Sequence, residues 1–255
     1  MTTTRQNGSL HTNIQDNIAT IEFGHPASNS FPSELLERLA KELITISNHA
    51  DVAIIILKSE GKKAFCAGAS FDELVAISNL KDGQQFFAGF ANVLNAMRTC
   101  GKLIIGRVQG KTVGGGVGLI AACDYALATE NAAIKLSEFT IGIGPFVIEP
   151  AVTRKIGVSG TSELTLDATN WKNAYWAKEK GLYAKVFETI NELDKEVEIL
   201  SEKLASYNPI ALTEMKKALW KGTENWTALL AERAAISGEL VLSEFTKKAL
   251  EKFKK

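Results

Sequence analysis

Histidine, cysteine and net charge are all scarce in this 255-residue sequence, and each shortage argues against a class of function. The three histidines all lie within the first fifty residues, and none has the spacing of a metal-ligand pair, so we predict no metal site. Three cysteines are too few and too scattered for a disulfide framework. They lie in apolar segments, which predicts reduced, buried thiols at Cys66, Cys100 and Cys123.

Charge of one sign and long apolar runs are missing as well. Lys plus Arg and Asp plus Glu number 29 each, so the chain has no broad attraction to nucleic acid or to an anionic membrane. No apolar run is long enough to span a bilayer, and residues 1–10 lack the apolar segment of a secretory signal. We therefore expect a cytoplasmic protein with neither a nucleic acid nor a membrane as its partner.

What the sequence does contain is a repeated pattern of strand, glycine turn and helix. The continuous apolar run Asp51–Lys58 is typical of a strand covered on both faces, and a helix follows from Phe71. A second apolar run, Leu103–Val108, is followed by glycines and a further helix. This alternation predicts an α/β fold. Other predicted elements are a strand in the second half of residues 13–23, a helix from Pro32-Ser33, a helix over Phe86–Met97 and a helix over Pro150–Ile156 that Gly157 ends.

The character of the chain changes after about residue 190. Glycines and β-branched runs give way to three predicted helices at about 191–206, 209–221 and 224–252, the last with a break near Gly238. We therefore divide the chain into an α/β core, 1–190, and a C-terminal helical region, 191–255. Several apolar residues of the last helix, among them Leu230 and Val241, predict that this region packs against a second copy of the chain.

The stretch from Gly114 to Cys123 is the most informative segment. Gly114-Gly115-Gly116 directly precedes a helix of small apolar residues, and such a helix must be buried. Glycines at a helix start leave backbone N–H groups bare, with the positive end of the helix dipole behind them. This arrangement favours binding of a negatively charged oxygen.

Five segments together resemble the crotonase superfamily, the enoyl-CoA hydratase/isomerase proteins. They are KAFCAGASFDEL, GKTVGGGVGLIAACDYALAT, AAIKLSEFTIGIGP, GLYAKVFE and NPIALTEMKKAL, and they occur in the family's order over about residues 14–252. The resemblance implies a crotonase-like ββα spiral core with C-terminal helices at a trimer interface, hence a homotrimer or a dimer of trimers. It also implies an acyl-CoA substrate and no cofactor other than the coenzyme A that the substrate carries.

The resemblance also implies roles for individual residues. Ala69 and Gly115 match the two backbone N–H groups of the family's oxyanion hole, which stabilise the charge that develops on a thioester oxygen. Glu138 matches the second of the two catalytic glutamates of the hydratases. The first glutamate is missing, because Gly118 stands at its position. Two further departures are Ser70, where many relatives have Asp, and GPFVIEP in place of a PGxGG pattern.

Substrate contacts are expected at the two turns and at three lysines. The turn residues are Cys66, Ala67 and Gly68 in the first turn, and Gly114 and Gly118 in the second. Lys62, Lys63 and Lys252 are expected to contact coenzyme A, as their positions do in relatives. Gly118 is also expected to leave space for a branched or longer acyl chain.

Three functions remain open from the sequence. A single glutamate suffices to move a proton from C2 to C4, which favours a Δ3,Δ2-enoyl-CoA isomerase-like enzyme. Hydration of an enoyl-CoA, including a branched one such as methylglutaconyl-CoA, remains the alternative if Glu149 or a substrate group holds the water. The third possibility is a catalytically silent acyl-CoA-binding protein, because a fold does not fix a function.

Overall fold

Residues 7–252 are described by a computed structural model, which places a six-stranded and a three-stranded β-sheet among ten α-helices in that part of the chain. In chain order the strands are β1 (Ser9–Gln15), β2 (Ile18–Gly24), β3 (Ile54–Ser59), β4 (Ala64–Cys66), β5 (Leu103–Val108), β6 (Lys111–Val113), β7 (Tyr125–Thr129), β8 (Ile134–Lys135) and β9 (Lys185–Phe187). The large sheet has the order β1-β2-β3-β5-β7-β9, and the small sheet has the order β4-β6-β8. Only the β1–β2 pair is antiparallel. The predicted α/β class is confirmed.

Ten α-helices accompany the two sheets in the described part of the chain. They are α1 (Ser33–Ser47), α2 (Phe71–Ala76), α3 (Leu80–Thr99), α4 (Gly115–Ala122), α5 (Glu149–Leu166), α6 (Ala174–Glu179), α7 (Ile190–Ala205), α8 (Pro209–Leu219), α9 (Trp226–Leu240) and α10 (Glu244–Glu251). A short 3₁₀ helix covers Glu138–Ile141. Within residues 7–252, no helix is both long enough and apolar enough to cross a membrane.

The strand predicted in the second half of residues 13–23 is confirmed as β2, and a preceding strand that was not predicted, β1, pairs with it. Asp16 and Asn17 both have positive φ, 51° and 63°, which is the conformation of a type I′ hairpin turn. β1 and β2 therefore pair as a hairpin, with Gln15 opposite Ile18. β1 was not predicted, because most of its residues are exposed and its only large apolar side chains are Leu10 and Ile14.

Two helix breaks also differ from the prediction. Gly157 adopts φ 69° and interrupts α5 as predicted, but the helix resumes and continues to Leu166. The break in the last helix lies at residues 241–243, where Ser243 caps α10, and not at Gly238. Gly238 instead allows α9 to cross α3 closely, because a Cβ on Gly238 would lie 2.7 Å from the Gln84 nitrogen.

The core lies between the large sheet and the helices that cover it. Residues 116–122 of α4 are all buried, and so are the three cysteines, as predicted. On the other face of the large sheet, Leu193 and Val197 of α7 pack against the strands. The buried Arg107 of β5 donates hydrogen bonds to both carboxylate oxygens of Asp194 on α7, at 2.7 and 3.0 Å.

Candidate active site

The small sheet gathers the candidate site residues at one edge. Its strands β4, β6 and β8 are parallel, so their carboxyl ends meet at the same edge. The segments that follow them contain Ala69, Gly115 and Glu138 respectively. All three residues line one cavity of about 190 Å³. The fold therefore brings together segments that the sequence separates by up to about seventy residues.

The turn after β4 leaves one backbone amide free. Gly68, with φ 87°, accepts a hydrogen bond at its carbonyl from the Phe31 N–H at 2.8 Å, while its own N–H lies 3.3 Å from the sulfur of Cys66. The Ser70 N–H donates to the Phe31 carbonyl at 2.8 Å, and the Ser70 hydroxyl caps α2. Within residues 7–252, the Ala69 N–H between these two groups has no acceptor. It is available to a ligand in the cavity.

The turn after β6 supplies a second free amide. Gly114 adopts φ 54° and precedes α4, whose first residue is Gly115. A first-turn N–H has no acceptor inside its own helix, and the Gly115 N–H finds none elsewhere in the described chain. Side chains are excluded at both glycines: a Cβ on Gly114 would lie 2.9 Å from Glu138 Oε1, and one on Gly115 would overlap the Phe90 ring. The two turns are adjacent, because a Cβ on Gly68 would lie 3.7 Å from the Gly115 nitrogen.

Glu138 places a carboxyl group against these turns. It is the first residue of the 3₁₀ helix, and its Oε2 atom is buried without a hydrogen-bond partner in the described chain. Burial raises the pKa of Glu138 to about 7, and a hydrogen bond involving its own backbone opposes this shift only in part. A carboxyl group with such a pKa can both accept and donate a proton near neutral pH.

Comparison with known proteins decides the family. The family model described as "Enoyl-CoA hydratase/isomerase" matches residues 13–254. This chain belongs to the enoyl-CoA hydratase/isomerase family. The resemblance stated from the sequence is thereby confirmed, and the protein is an enzyme of the hydratase/isomerase type.

Relatives within the family carry different activities. The peroxisomal Delta(3,5)-Delta(2,4)-dienoyl-CoA isomerase of Arabidopsis thaliana is 28% identical over 211 residues, which are 77% of this chain and 74% of that protein. The short-chain-enoyl-CoA hydratase of Clostridium acetobutylicum is 28% identical over 239 residues, 92% of this chain and 90% of that protein. The crystal structure of enoyl-CoA hydratase from Bacillus halodurans superposes with a TM-score of 0.88 at 23% identity, over 95% of this chain and 99% of that one, and confirms the crotonase-type fold.

Gly118, which stands at the position of the family's first glutamate, does not leave the empty space that we expected. Gly118 is buried in α4 and does not line the cavity. A Cβ at Gly118 would overlap Cγ2 of Ile148, so Ile148 occupies the adjoining space. The predicted vacancy for a branched or longer acyl chain is therefore wrong, whereas substrate contact by Gly118 stays a prediction.

Glu149 does not replace the missing glutamate on the cavity wall. It begins α5, and its Oε1 accepts a hydrogen bond of 2.6 Å from the Thr153 hydroxyl. It is absent from the lining, although its neighbour Ile148 is part of it. Among the described residues, Glu138 is the only carboxylate that lines the cavity.

The remaining predicted contacts divide into two groups. Ala67, Gly68 and Gly114 line the cavity, and their contact with the substrate stays a prediction. Cys66 does not line it, because its side chain is fully buried beneath the turn, where its sulfur contacts the Gly68 N–H. Lys62, Lys63 and Lys252 are exposed and lie outside the lining, so their contact with coenzyme A stays a prediction.

Two features of the site were not predicted from the sequence. The first is an apolar wall formed by six residues, namely Phe71, Leu74, Phe86, Phe87, Phe90 and Ile143. The spacing of the three α3 phenylalanines, which all lie on one helical face, was the available signal. The second is the support of the 3₁₀ helix by α10. A Cβ on Gly142, which has φ 82°, would lie 2.5 Å from the Phe245 ring and 2.6 Å from the Thr246 hydroxyl.

Proposed function

We propose that this protein is a Δ3,Δ2-enoyl-CoA isomerase-like enzyme in which Glu138 is the single acid/base. The observation that carries the proposal is the composition of the cavity wall. Glu138 is its only carboxylate within the described chain, and the hydrocarbon side chain of Ile148 lies beside the position where hydratases place a second one. One carboxylate can move a proton, but no second carboxylate is present to help activate a water.

The reaction begins with binding of the thioester oxygen to the Ala69 and Gly115 N–H groups. Glu138 as carboxylate removes a proton from C2, and the electron pair delocalises into an enolate whose charge is concentrated on that oxygen. Glu138, now protonated, returns the proton to C4, and the double bond moves from C3–C4 to C2–C3. No water or cofactor is consumed. Losing one such N–H donor costs about 3–4 kcal/mol of transition-state stabilisation in other enzymes.

The environment of Glu138 suits this double role. Its buried Oε2 accepts no hydrogen bond from the described chain, so the carboxylate is not stabilised by a donor that it would have to give up. A pKa of about 7 leaves a substantial fraction ionised at neutral pH and keeps the conjugate acid strong enough to protonate C4.

The test is to identify the products formed from two substrates. Purified protein with trans-3-hexenoyl-CoA should give trans-2-hexenoyl-CoA, whereas crotonyl-CoA should be hydrated at least ~100-fold more slowly, because the second carboxylate is missing. NMR of both reactions in deuterated water identifies each product. Comparable hydration of crotonyl-CoA would establish a hydratase. Binding of both thioesters without conversion of either would establish a silent acyl-CoA-binding protein.

For the assembly we propose a homotrimer or a dimer of trimers. Of the apolar residues first expected at the interface, Leu230 and Val241 are buried within the chain itself, whereas Leu229, Ile236 and Leu240 are half-buried. Support comes from large apolar side chains that this single chain leaves exposed on α5, α8 and α10. They are Val158, Leu166, Ile210, Met215, Leu219 and Phe245.

A further inference from the structure

Six residues of the cavity lining form a hydrocarbon wall, which reaches the second turn where the Phe90 ring meets Gly115. Phe71 and Leu74 come from α2, Phe86, Phe87 and Phe90 from α3, and Ile143 from the segment after the 3₁₀ helix. The polar side chains on the lining are Ser137, Glu138 and Ser237. No Lys, Arg or His side chain lines the cavity anywhere in residues 7–252.

The side chains of this wall pack against each other and against neighbouring buried residues. The rings of Phe86 and Phe87 pack edge to face with their centroids 5.1 Å apart, and the Phe90 ring packs on Phe31 at 6.0 Å. Leu74, Phe86 and Ile143 belong to one buried cluster with Val241 and Leu250. Packing therefore holds Leu74, Phe86, Phe87, Phe90 and Ile143 in place, and none of these side chains carries a polar atom.

An acyl group with a second carboxylate would therefore meet an unfavourable environment. The carboxylate would lose its hydration without gaining a cation or a set of hydrogen-bond donors, which is costly for any buried charge. It would also share a small cavity with Glu138, which is the only charged side chain among the described residues of the lining, and two nearby carboxylates repel each other.

We propose that this cavity selects an uncharged hydrocarbon acyl group and rejects acyl groups that end in a carboxylate. The inference rests on the proposed function, because it assigns the substrate class of the same site. It separates this chain from family members that act on thioesters of dicarboxylic acids, and it does so through residues of α2 and α3 that carry none of the proton chemistry.

The experiment compares two substrates that differ only at the far end. Trans-3-hexenoyl-CoA and the mono-CoA thioester of trans-3-hexenedioic acid share six carbons and the same double bond, but one ends in a methyl group and the other in a carboxylate. We expect kcat/KM to be at least ~100-fold higher for the first, which is the cost of one buried, unpaired charge. Titration should show that hexanoyl-CoA binds with a lower Kd than adipoyl-CoA, whether or not turnover occurs.

Two matched variants at Phe87 test whether the apolar wall is what distinguishes the two substrates. Phe87→Lys places a cation at a half-buried position of the wall. We expect it to reduce the ratio of the two kcat/KM values at least ~10-fold, because the lysine can form an ion pair with the carboxylate of the substrate. Phe87→Leu shortens the same side chain without adding charge and should leave the ratio above ~100. Glu138→Gln should retain most of the difference in Kd, because the apolar wall remains.

The outcomes separate this inference from the proposed function. Equal kcat/KM for the two substrates, together with equal Kd for hexanoyl-CoA and adipoyl-CoA, would overturn the inference and leave the isomerase proposal intact. Absence of binding by all four thioesters would overturn both. Preference for the hydrocarbon substrate with hydration as the reaction would support the inference and contradict the isomerase proposal.

Discussion

Glu138 is the residue on which the proposed chemistry depends, and Glu138→Gln is its simplest test. The amide keeps the shape of the side chain but can neither take nor return the C2 proton. We expect the isomerisation rate to fall at least ~100-fold, with little change in Kd for hexanoyl-CoA. Steady-state kinetics and calorimetric titration measure the two quantities. Unchanged turnover would remove Glu138 from the mechanism.

The raised pKa of Glu138 also predicts an effect on stability. Its pKa of about 7 in the folded protein exceeds the ordinary value of 4.5, so folding disfavours the ionised form. The free energy of unfolding therefore loses a contribution of roughly 3 kcal/mol as the pH rises from 4.5 through 7, and none of it returns above that range. Urea unfolding should find Glu138→Gln more stable relative to wild type at about pH 8.5 than at about pH 5. An equal difference at both pH values would contradict the shift.

Gly118 can test why the second carboxylate is missing. Gly118→Glu alone would overlap Ile148, and overpacking a core costs about 1–3 kcal/mol or more. Gly118→Glu combined with Ile148→Ala provides the space, and we expect the ratio of hydratase to isomerase activity to rise only in this double variant. Ile148→Ala is the control for the enlarged cavity. A folded double variant with an unchanged ratio would show that residue 118 does not determine the reaction.

The residues of the site were predictable to different degrees, for a physical reason. Ala69, Gly115 and Glu138 lie in short segments that resemble those of the family, and the structure brings all three to one cavity. The relation between Gly118 and Ile148 depends on the packing of α5 against α4, thirty residues away in sequence. No local pattern encodes that contact, so the sequence suggested an empty space where a side chain lies.

At the scale of elements, α10 supports the 3₁₀ helix that carries Glu138. Gly142→Ala would bring a Cβ to 2.5 Å from the Phe245 ring at a positive φ, so either α10 or the 3₁₀ helix must move. We expect a loss of roughly 1–3 kcal/mol in stability together with a lower kcat. Thermal unfolding and kinetics measure both.

Gly157 provides the matched control for this prediction. It also has a positive φ, 69°, but a Cβ there meets no described atom within 4 Å, and Gly157 does not line the cavity. Gly157→Ala should cost stability without lowering kcat. If both variants lowered kcat equally, the effect would reflect general destabilisation and not the position of Glu138.

Elements with strong local signals were predicted well, and their ends were not. The α4 helix follows directly from three glycines and an apolar run. The β2 strand was predicted, but its hairpin partner β1 was not, because most of β1 is exposed and contains few apolar residues. The break between α9 and α10 lies where the Ser243 side chain caps the start of α10, and not at Gly238, whose cost within a helix is small.

At the scale of the whole molecule, the exposed apolar side chains predict self-association. Sedimentation velocity at micromolar concentration should show a species of three or six times 27.6 kDa. Ile210→Asp on α8 should weaken this assembly, because Ile210 is the most exposed large apolar residue of that helix. A 27.6 kDa monomer for the wild type would contradict the proposed assembly.

The most direct measurement follows the proton itself. Trans-3-hexenoyl-CoA that carries two deuterium atoms at C2 is converted in ordinary water, and deuterium NMR locates the label in the first-formed trans-2-hexenoyl-CoA. A single buried carboxylate that moves the proton from C2 to C4 predicts a measurable fraction of deuterium at C4. Product that carries only solvent hydrogen at C4, together with unchanged turnover by Glu138→Gln, would contradict the account, because the proton at C4 would then have come from another group.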